Sequence, residues 1–138
     1  MNFENRDIKW LKATATREFN KKIRERDADH SGIAFCISCG KPIKLGTKEY
    51  QAGHFYPGGN FPNLIYNTDN VHVQCLQCNY FKHSNALMYR QNLIQKIGVE
   101  RVERLDILAA YHKRHGFKWD RFYLIDIIKR CRNNTIFK

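Results

Sequence analysis

The chain has 138 residues, enough for one packed domain and too few for two. Its 24 Lys and Arg residues against 13 Asp and Glu residues give a formal net charge of +11, and a small chain this basic most often binds nucleic acid. No apolar run reaches the roughly 18 residues of a membrane span, and residues 1–9 lack the apolar core of a signal peptide. We therefore expect a cytoplasmic protein with no membrane partner.

The first 30 residues predict one basic helix. Apolar side chains recur there at helical spacing, with Lys and Arg between them, at Ile8, Leu11, Ala15, Phe19 and Ile23. A run of four basic residues is either a solvated helix face or a phosphate-binding edge: Lys21, Lys22, Arg24 and Arg26.

Residues 31–78 are interrupted by recurring Gly and Pro, which predicts short strands and loops. The strands are expected at residues 33–36, 49–55 and 70–74. Residues 56–69 then form a long loop, and long ordered loops in small domains tend to be functional.

Three helices are predicted after Cys78. The first spans residues 87–97 and ends at Gly98, and the second spans residues 99–114 and ends at Gly116. The third has Asp120 as its N-cap and runs to about Arg132. Its buried side chains are expected to be Phe122, Leu124, Ile125 and Ile128. Residues 86–138 hold twelve basic and five acidic side chains, so most of the positive charge is C-terminal.

Two Cys-x-x-Cys pairs predict a structural zinc site. The pairs are Cys36–Cys39 and Cys75–Cys78, separated by 35 residues. Four thiolates complete a closed tetrahedral zinc site, which stabilises a fold and leaves no position open for catalysis. The alternatives are buried free cysteines or a redox pair. Cys131 is expected to be a core residue of the last helix.

A set of His and Asn residues lies between and just after these pairs. His54 ends a predicted strand before the long loop, and Asn70 and His72 follow on the next strand. Asn79 comes directly after the last cysteine, four residues before His83. If Asn79 opens a helix, both side chains lie on one face, a spacing that suits two ligands of one cation.

This pattern resembles the HNH, or ββα-metal, nucleases, and more narrowly the lambdoid phage NinG (Rap) family of recombination endonucleases. The resemblance covers about half of the chain. It is carried by the blocks Ala52-Gly-His54-Phe and Asn70-x-His72-x-Gln74-Cys75-x-x-Cys78-Asn79, and then by Lys82, Asn85, Tyr89-Arg90, Ile97-Gly98 and Glu100-Arg101-Val102.

The resemblance implies an α+β fold in one domain over residues 1–138. A zinc-stabilised ββα-metal core (31–90) would be flanked by the N-terminal helix (1–30) and the basic C-terminal helices (91–138). It also implies a metal-dependent endonuclease acting on branched DNA such as Holliday junctions and D-loops. A homodimer with its interface on the C-terminal helices, and a recombinase partner, are further expectations.

The same resemblance implies roles for single residues. His54 would be the general base, Asn79 the main ligand of a catalytic Mg²⁺ or Mn²⁺, and Asn70 the residue that pins the loop. His72 would either reach the metal or phosphate or be structural. His83 would be either a second metal ligand, as at this helical offset in many HNH sites, or a solvent-facing or phosphate-contacting histidine. The expected phosphate contacts are Lys82 and Arg90, whereas Tyr89 is expected in the core.

One position departs from the HNH pattern. Many HNH enzymes have an acidic metal ligand directly before the catalytic histidine, and this chain has Gly53 there. Two alternatives therefore stay open: a non-catalytic, zinc-stabilised nucleic-acid-binding module, and an HNH nuclease of another role such as restriction or homing.

Overall fold

The computed structural model describes residues 3, 5–81 and 85–138. Four α-helices and four short strands occur in this part of the chain. In chain order they are α1 (Ile8–Asp27), β1 (Ile33–Phe35), β2 (Pro42–Lys44), β3 (Gln51–His54), β4 (Val71–Gln74), α2 (Ala86–Ile97), α3 (Val99–His115) and α4 (Arg121–Arg132). A 3₁₀ turn (Pro62–Leu64) interrupts the long loop, and a π-helical turn (Gln77–Phe81) follows the second cysteine pair. Across these described ranges, every helix is too short or too polar to cross a membrane.

The strands form two separate antiparallel hairpins. β1 pairs with β2, and β3 pairs with β4. In the second hairpin His54 lies opposite Val71, and Gly53 lies opposite His72. Paired residues point to the same face of a sheet and successive residues to opposite faces. The side chains of His54 and His72 therefore lie on opposite faces of the β3–β4 hairpin. Four helices together with two antiparallel hairpins confirm the expected α+β class.

The first and last helices pack together in one layer. The Asp7 side chain caps α1 by accepting a hydrogen bond from the Trp10 backbone N–H (2.8 Å), and the Asp120 side chain caps α4 through the Phe122 backbone N–H (2.7 Å). The apolar faces of the two helices share one core, whose members include Leu11, Phe19, Ile23, Leu124, Ile128 and Cys131. The expected burial of Phe122 is wrong, because its side chain is 74% exposed.

Helices α2 and α3 form a second core with the long loop. Gly98, with φ at +91°, ends α2 and begins α3, and this left-handed conformation is readily adopted only by glycine. The shared core contains Tyr89 and Leu93 from α2, Val102, Leu105 and Ala109 from α3, and Phe61 and Leu64 from the loop. The loop between β3 and β4 is therefore packed against two helices.

Candidate functional site: a four-cysteine cluster and a clamped histidine

The two Cys-x-x-Cys pairs come together in space. The Sγ atoms of Cys36, Cys39, Cys75 and Cys78 all lie within 4.8 Å of one another, and the Sγ atoms of Cys39 and Cys75 are 3.8 Å apart. A zinc ion with four thiolates at about 2.3 Å places neighbouring sulfurs about 3.8 Å apart in a tetrahedron. These four cysteines could therefore hold a structural metal such as zinc.

Both pairs adopt the same local turn. The backbone N–H of Cys39 donates to Cys36 Sγ, and that of Cys78 donates to Cys75 Sγ, each at 3.5 Å. Gly40, with φ at +78°, closes the first turn by donating its N–H to the Cys36 carbonyl (2.9 Å). Such donors stabilise thiolate ligands.

Burial opposes ionisation of two of these thiols when no metal is bound, whereas hydrogen bonds outweigh burial at Cys39 and lower its pKa. Burial raises the pKa of Cys36, and it raises the pKa of Cys78 to about 12. A bound cation reverses this preference, because it stabilises the thiolates directly. The donor set thus fits a metal better than it fits four free thiols.

His54 ends β3 with its ring held in one tautomer. Its Nε2 lies 3.1 Å from the Ile65 carbonyl oxygen, and a carbonyl can only accept, so Nε2 carries the proton. Burial lowers the pKa of His54 below its usual range. The ring is therefore neutral near pH 7, with the lone pair on Nδ1, the state that a general base needs.

Asn70 clamps the loop that supplies this carbonyl. Its buried side chain accepts from the Tyr56 backbone N–H (2.9 Å) and donates to the carbonyls of Tyr56 (3.1 Å) and Leu64 (3.0 Å). Its own carbonyl accepts from the Phe55 backbone N–H (2.8 Å). Asn70 thereby fixes the two residues after His54 and the residue before Ile65.

We expect Asn70→Ala to destabilise the protein by about 2–4 kcal/mol, because three buried backbone groups lose their partner. Asn60→Ala, in the same loop but exposed, is the matched control and should change stability by less than about 0.5 kcal/mol. Urea unfolding of both variants measures the difference. Equal stabilities would contradict a clamping role for Asn70.

His72 lies on the other face of the hairpin, buried among charges from α1 and α2. Its Nδ1 is 3.0 Å from an Arg26 nitrogen and 2.9 Å from Lys96 Nζ, and its Nε2 is 3.0 Å from the Asp69 carbonyl. Asp27 pairs with Arg26 (2.7 Å) and with Lys96 (3.2 Å). The geometry favours the structural alternative for His72, and it places Arg26 in this buried network instead of on a free surface.

The network keeps His72 neutral. Burial lowers its pKa to about 3, helped by the neighbouring positive charges of Lys96 and Arg26. Its carboxylate partner Asp27 has a pKa below the usual range, because hydrogen bonding and charge from Arg26 outweigh burial. His72 therefore acts as a hydrogen-bond acceptor that ties α1, β4 and α2 together.

The predicted ligands of a catalytic cation are only partly described. Asn79 lies half-buried in the π-helical turn, where its backbone N–H donates to the Cys75 carbonyl (3.0 Å). His83 and Lys82 lie outside the described residues. Within the described ranges, the only group of three or more His, Cys, Asp or Glu side chains placed to hold a metal is the cysteine cluster. The described His, Cys, Asp and Glu side chains therefore form no second group of three around a possible metal.

Arg90 forms an ion pair within the chain. Its guanidinium donates to both carboxylate oxygens of Asp106 (2.9 and 2.7 Å), and the Tyr56 hydroxyl donates to the same carboxylate. These contacts join α2 and α3 to Tyr56, whose backbone is held by the Asn70 side chain. Sequence reasoning missed Asp106, since nothing in the spacing connects it to position 90. Arg90 as a phosphate contact stays a prediction.

The structure explains why position 53 is glycine. A Cβ on Gly53 would lie 1.8 Å from Gln74 Oε1, and Gln74 Nε2 donates to Ser38 Oγ (2.9 Å) in the first cysteine turn. The Gln74 side chain thus fills the space that an acidic side chain at position 53 would need. It links the β3–β4 hairpin to the cysteine cluster.

The chain is similar to proteins of known phages. A family model described as the bacteriophage lambda NinG protein matches residues 5–136. Over 106 residues, 77% of this chain, it is 39% identical to protein NinG of Escherichia phage lambda, and 38% identical to those of Salmonella phage P22 and Escherichia phage 933W. The match covers 47% of each relative, so the chain spans about half the length of the curated relatives it matches. No solved structure matches.

Proposed function

The chain belongs to the NinG family of phage proteins, and from this premise we propose that it is a metal-dependent endonuclease that cuts branched DNA, such as Holliday junctions and D-loops. His54 is the general base that deprotonates the attacking water. The β3–β4 hairpin, with the cysteine cluster and α2 after it, is the HNH core.

The observation that carries this proposal is the state of the His54 ring. It is neutral, its Nε2 is fixed on the Ile65 carbonyl, and that carbonyl belongs to a loop clamped by Asn70. The Nδ1 of His72 is occupied by Arg26 and Lys96, whereas among the described residues no hydrogen bond forms to Nδ1 of His54. The lone pair of His54 is therefore open to accept a proton, as a general base requires. General-base catalysis of this kind contributes about 10²–10⁴-fold to the rate.

A divalent ion such as Mg²⁺ or Mn²⁺ would neutralise charge on the phosphate and on the departing oxygen. Among the described residues, Asn79 would hold this ion, since its amide oxygen is a hard ligand. Asn70 is a positioning residue that acts through the loop. The net charge of +11 supports binding to the DNA backbone.

The test is a cleavage assay on a labelled four-way junction, a D-loop and a linear duplex of matched sequence. Each substrate is incubated with Mg²⁺, with Mn²⁺ and with EDTA. We expect cutting of the branched substrates in the presence of metal, and none in EDTA. Cutting of linear duplex at a defined sequence would instead indicate another class of HNH nuclease.

The non-catalytic binding module is the second candidate, and the packing at position 53 favours it. Gln74 occupies the place of the usual acidic ligand, which leaves the catalytic ion fewer protein ligands. In that case the protein binds junctions, with an affinity that falls steeply as salt rises, and cuts none of them with either metal.

A further inference from the structure

The outer face of α3 is apolar from Ile107 to Tyr111 and charged on either side, with Glu100, Glu103 and Arg104 before this strip and Arg114 after it. Ile107 is 68% exposed and Tyr111 is 60% exposed, and with Ala110 they line a shallow groove of about 270 Å³. Side chains three and four residues apart share one helix face. The opposite face of α3 is buried in the α2–α3 core, so this apolar strip has no role in the fold of one chain.

The charges on this face have an order that suits a second copy of the same helix. Glu100 lies seven residues before Ile107, and Arg114 lies seven residues after it. Seven residues are nearly two turns, so all three share one face, with each charge about 10 Å from the centre. Among the described residues, neither Glu100 nor Arg114 has an ion-pair partner, and both are exposed.

We propose that α3 is a homodimer interface, in which two copies pack antiparallel about a two-fold axis at Ile107. The axis places Ile107 against its own copy, and it places Glu100 of each chain opposite Arg114 of the other. A two-fold interface must be self-complementary in this way. A parallel arrangement would instead bring like charges together, which is unfavourable.

The ring of Tyr111 extends this surface. It packs against the ring of His115 in a tilted arrangement, with the ring centroids 4.2 Å apart. Exposed, preordered aromatic side chains lose little conformational entropy on binding and are enriched at interface centres. In the dimer Tyr111 flanks Ile107 on each side of the axis.

The inner face of α3 contacts the catalytic loop. Asn63, in the 3₁₀ turn, donates from Nδ2 to the Leu108 carbonyl (3.1 Å). Two antiparallel α3 helices would therefore separate the two loops by about 20 Å, two helix diameters. This consequence rests on the proposed function, whereas the dimer itself does not: two related loops suit the cutting of two strands of one junction.

The test measures the molar mass of the full chain by sedimentation and light scattering over a range of concentrations, without DNA. We expect a dimer, and we expect Ile107→Asp to weaken it by about ten- to hundred-fold in Kd. Phe122→Asp on α4 is the matched control, since Phe122 is similarly exposed at 74%, and it should leave the dimer unchanged. Because Ile107 is exposed in a single chain, the variant should keep the Tm that the wild-type chain has at concentrations where it is monomeric.

Charge exchange tests the proposed orientation. Glu100→Arg should weaken the dimer, and the double variant Glu100→Arg/Arg114→Glu should restore it. Under oxidation, Ile107→Cys should form a disulfide-linked dimer and Phe122→Cys should not. A wild-type chain that stays monomeric at every concentration, a dimer insensitive to Ile107→Asp, or a double variant without rescue would overturn the proposal. Each readout is independent of cleavage, so failure of the nuclease proposal remains distinguishable.

Discussion

Loss of a metal from the four-cysteine site is expected to unfold most of the chain, beginning with the β1–β2 hairpin and the start of the segment after β4. Three of the four cysteines, Cys36, Cys75 and Cys78, lie in a third core with Ala34, Ile43, Tyr50 and Val73. Structural zinc contributes an apparent free energy of roughly 10–16 kcal/mol in zinc-finger peptides at pH 7. That equals or exceeds the whole stability of a typical domain, about 5–15 kcal/mol.

We therefore expect Cys75→Ser to bind no zinc and to lose most of its cooperative thermal transition. The fifth cysteine provides a matched control. Cys131 is fully buried in the α1–α4 core, far along the chain from either pair, so Cys131→Ala should keep one zinc per chain at a modest cost in Tm. Metal analysis of the purified proteins and thermal unfolding by circular dichroism measure both effects. A wild-type chain that folds normally with less than one metal per chain would contradict the prediction.

The elements that local chemistry determines could be predicted. Gly98, Gly116 and Asp120 mark helix ends because their backbone or capping properties act within a few residues. Each Cys-x-x-Cys turn is equally local, and two such pairs together supply the four ligands of one tetrahedral metal, so the sequence was enough to predict the four-cysteine cluster. The division of the chain into a core and two flanking segments stays a prediction.

The exact start of a strand and the buried side of a helix could not be predicted from spacing alone, because both depend on how distant elements pack. Asn70 and His72 were both expected on the strand at residues 70–74, but β4 begins at Val71, so strand alternation does not extend to Asn70. The predicted burial of Phe122 is wrong because of helix geometry. Two residues along a helix turn a side chain by about 200°, so the helix that buries Leu124 exposes Phe122.

Two features of the candidate site have no sequence signal. The Ile65 carbonyl that fixes the His54 tautomer is a backbone group, and any residue type could supply it. The contact between Gly53 and Gln74 depends on cross-strand packing, and only the structure shows that glycine is needed there for space. The apparent departure from the HNH pattern at position 53 is therefore also a packing requirement.

His54→Ala is expected to lower the cleavage rate by about 10²–10⁴-fold, with little change in DNA affinity, since the base acts on water and not on binding. The loss of one hydrogen bond to Ile65 should cost about 1 kcal/mol of stability. His30→Ala, which removes an exposed histidine, is the control and should cleave at the wild-type rate. Single-turnover cleavage and a binding titration on the same junction separate the two effects. Equal losses of binding and cleavage would assign His54 a structural role.

The pH dependence provides a second readout of the same residue. Only neutral His54 accepts a proton, and burial lowers its pKa. As the pH is lowered, the cleavage rate should therefore begin to fall only below the usual histidine pKa of about 6.5. Buried His72 has a pKa of about 3 in the folded chain, whereas in the unfolded chain a histidine takes up its proton at about pH 6.5. The unfolded chain is therefore favoured by protonation, and stability falls as the pH drops below about 6.5. Circular dichroism at each pH distinguishes unfolding from protonation of the base. A cleavage rate that falls while the protein stays folded, through a pKa absent from His54→Ala, identifies His54 as the titrating group.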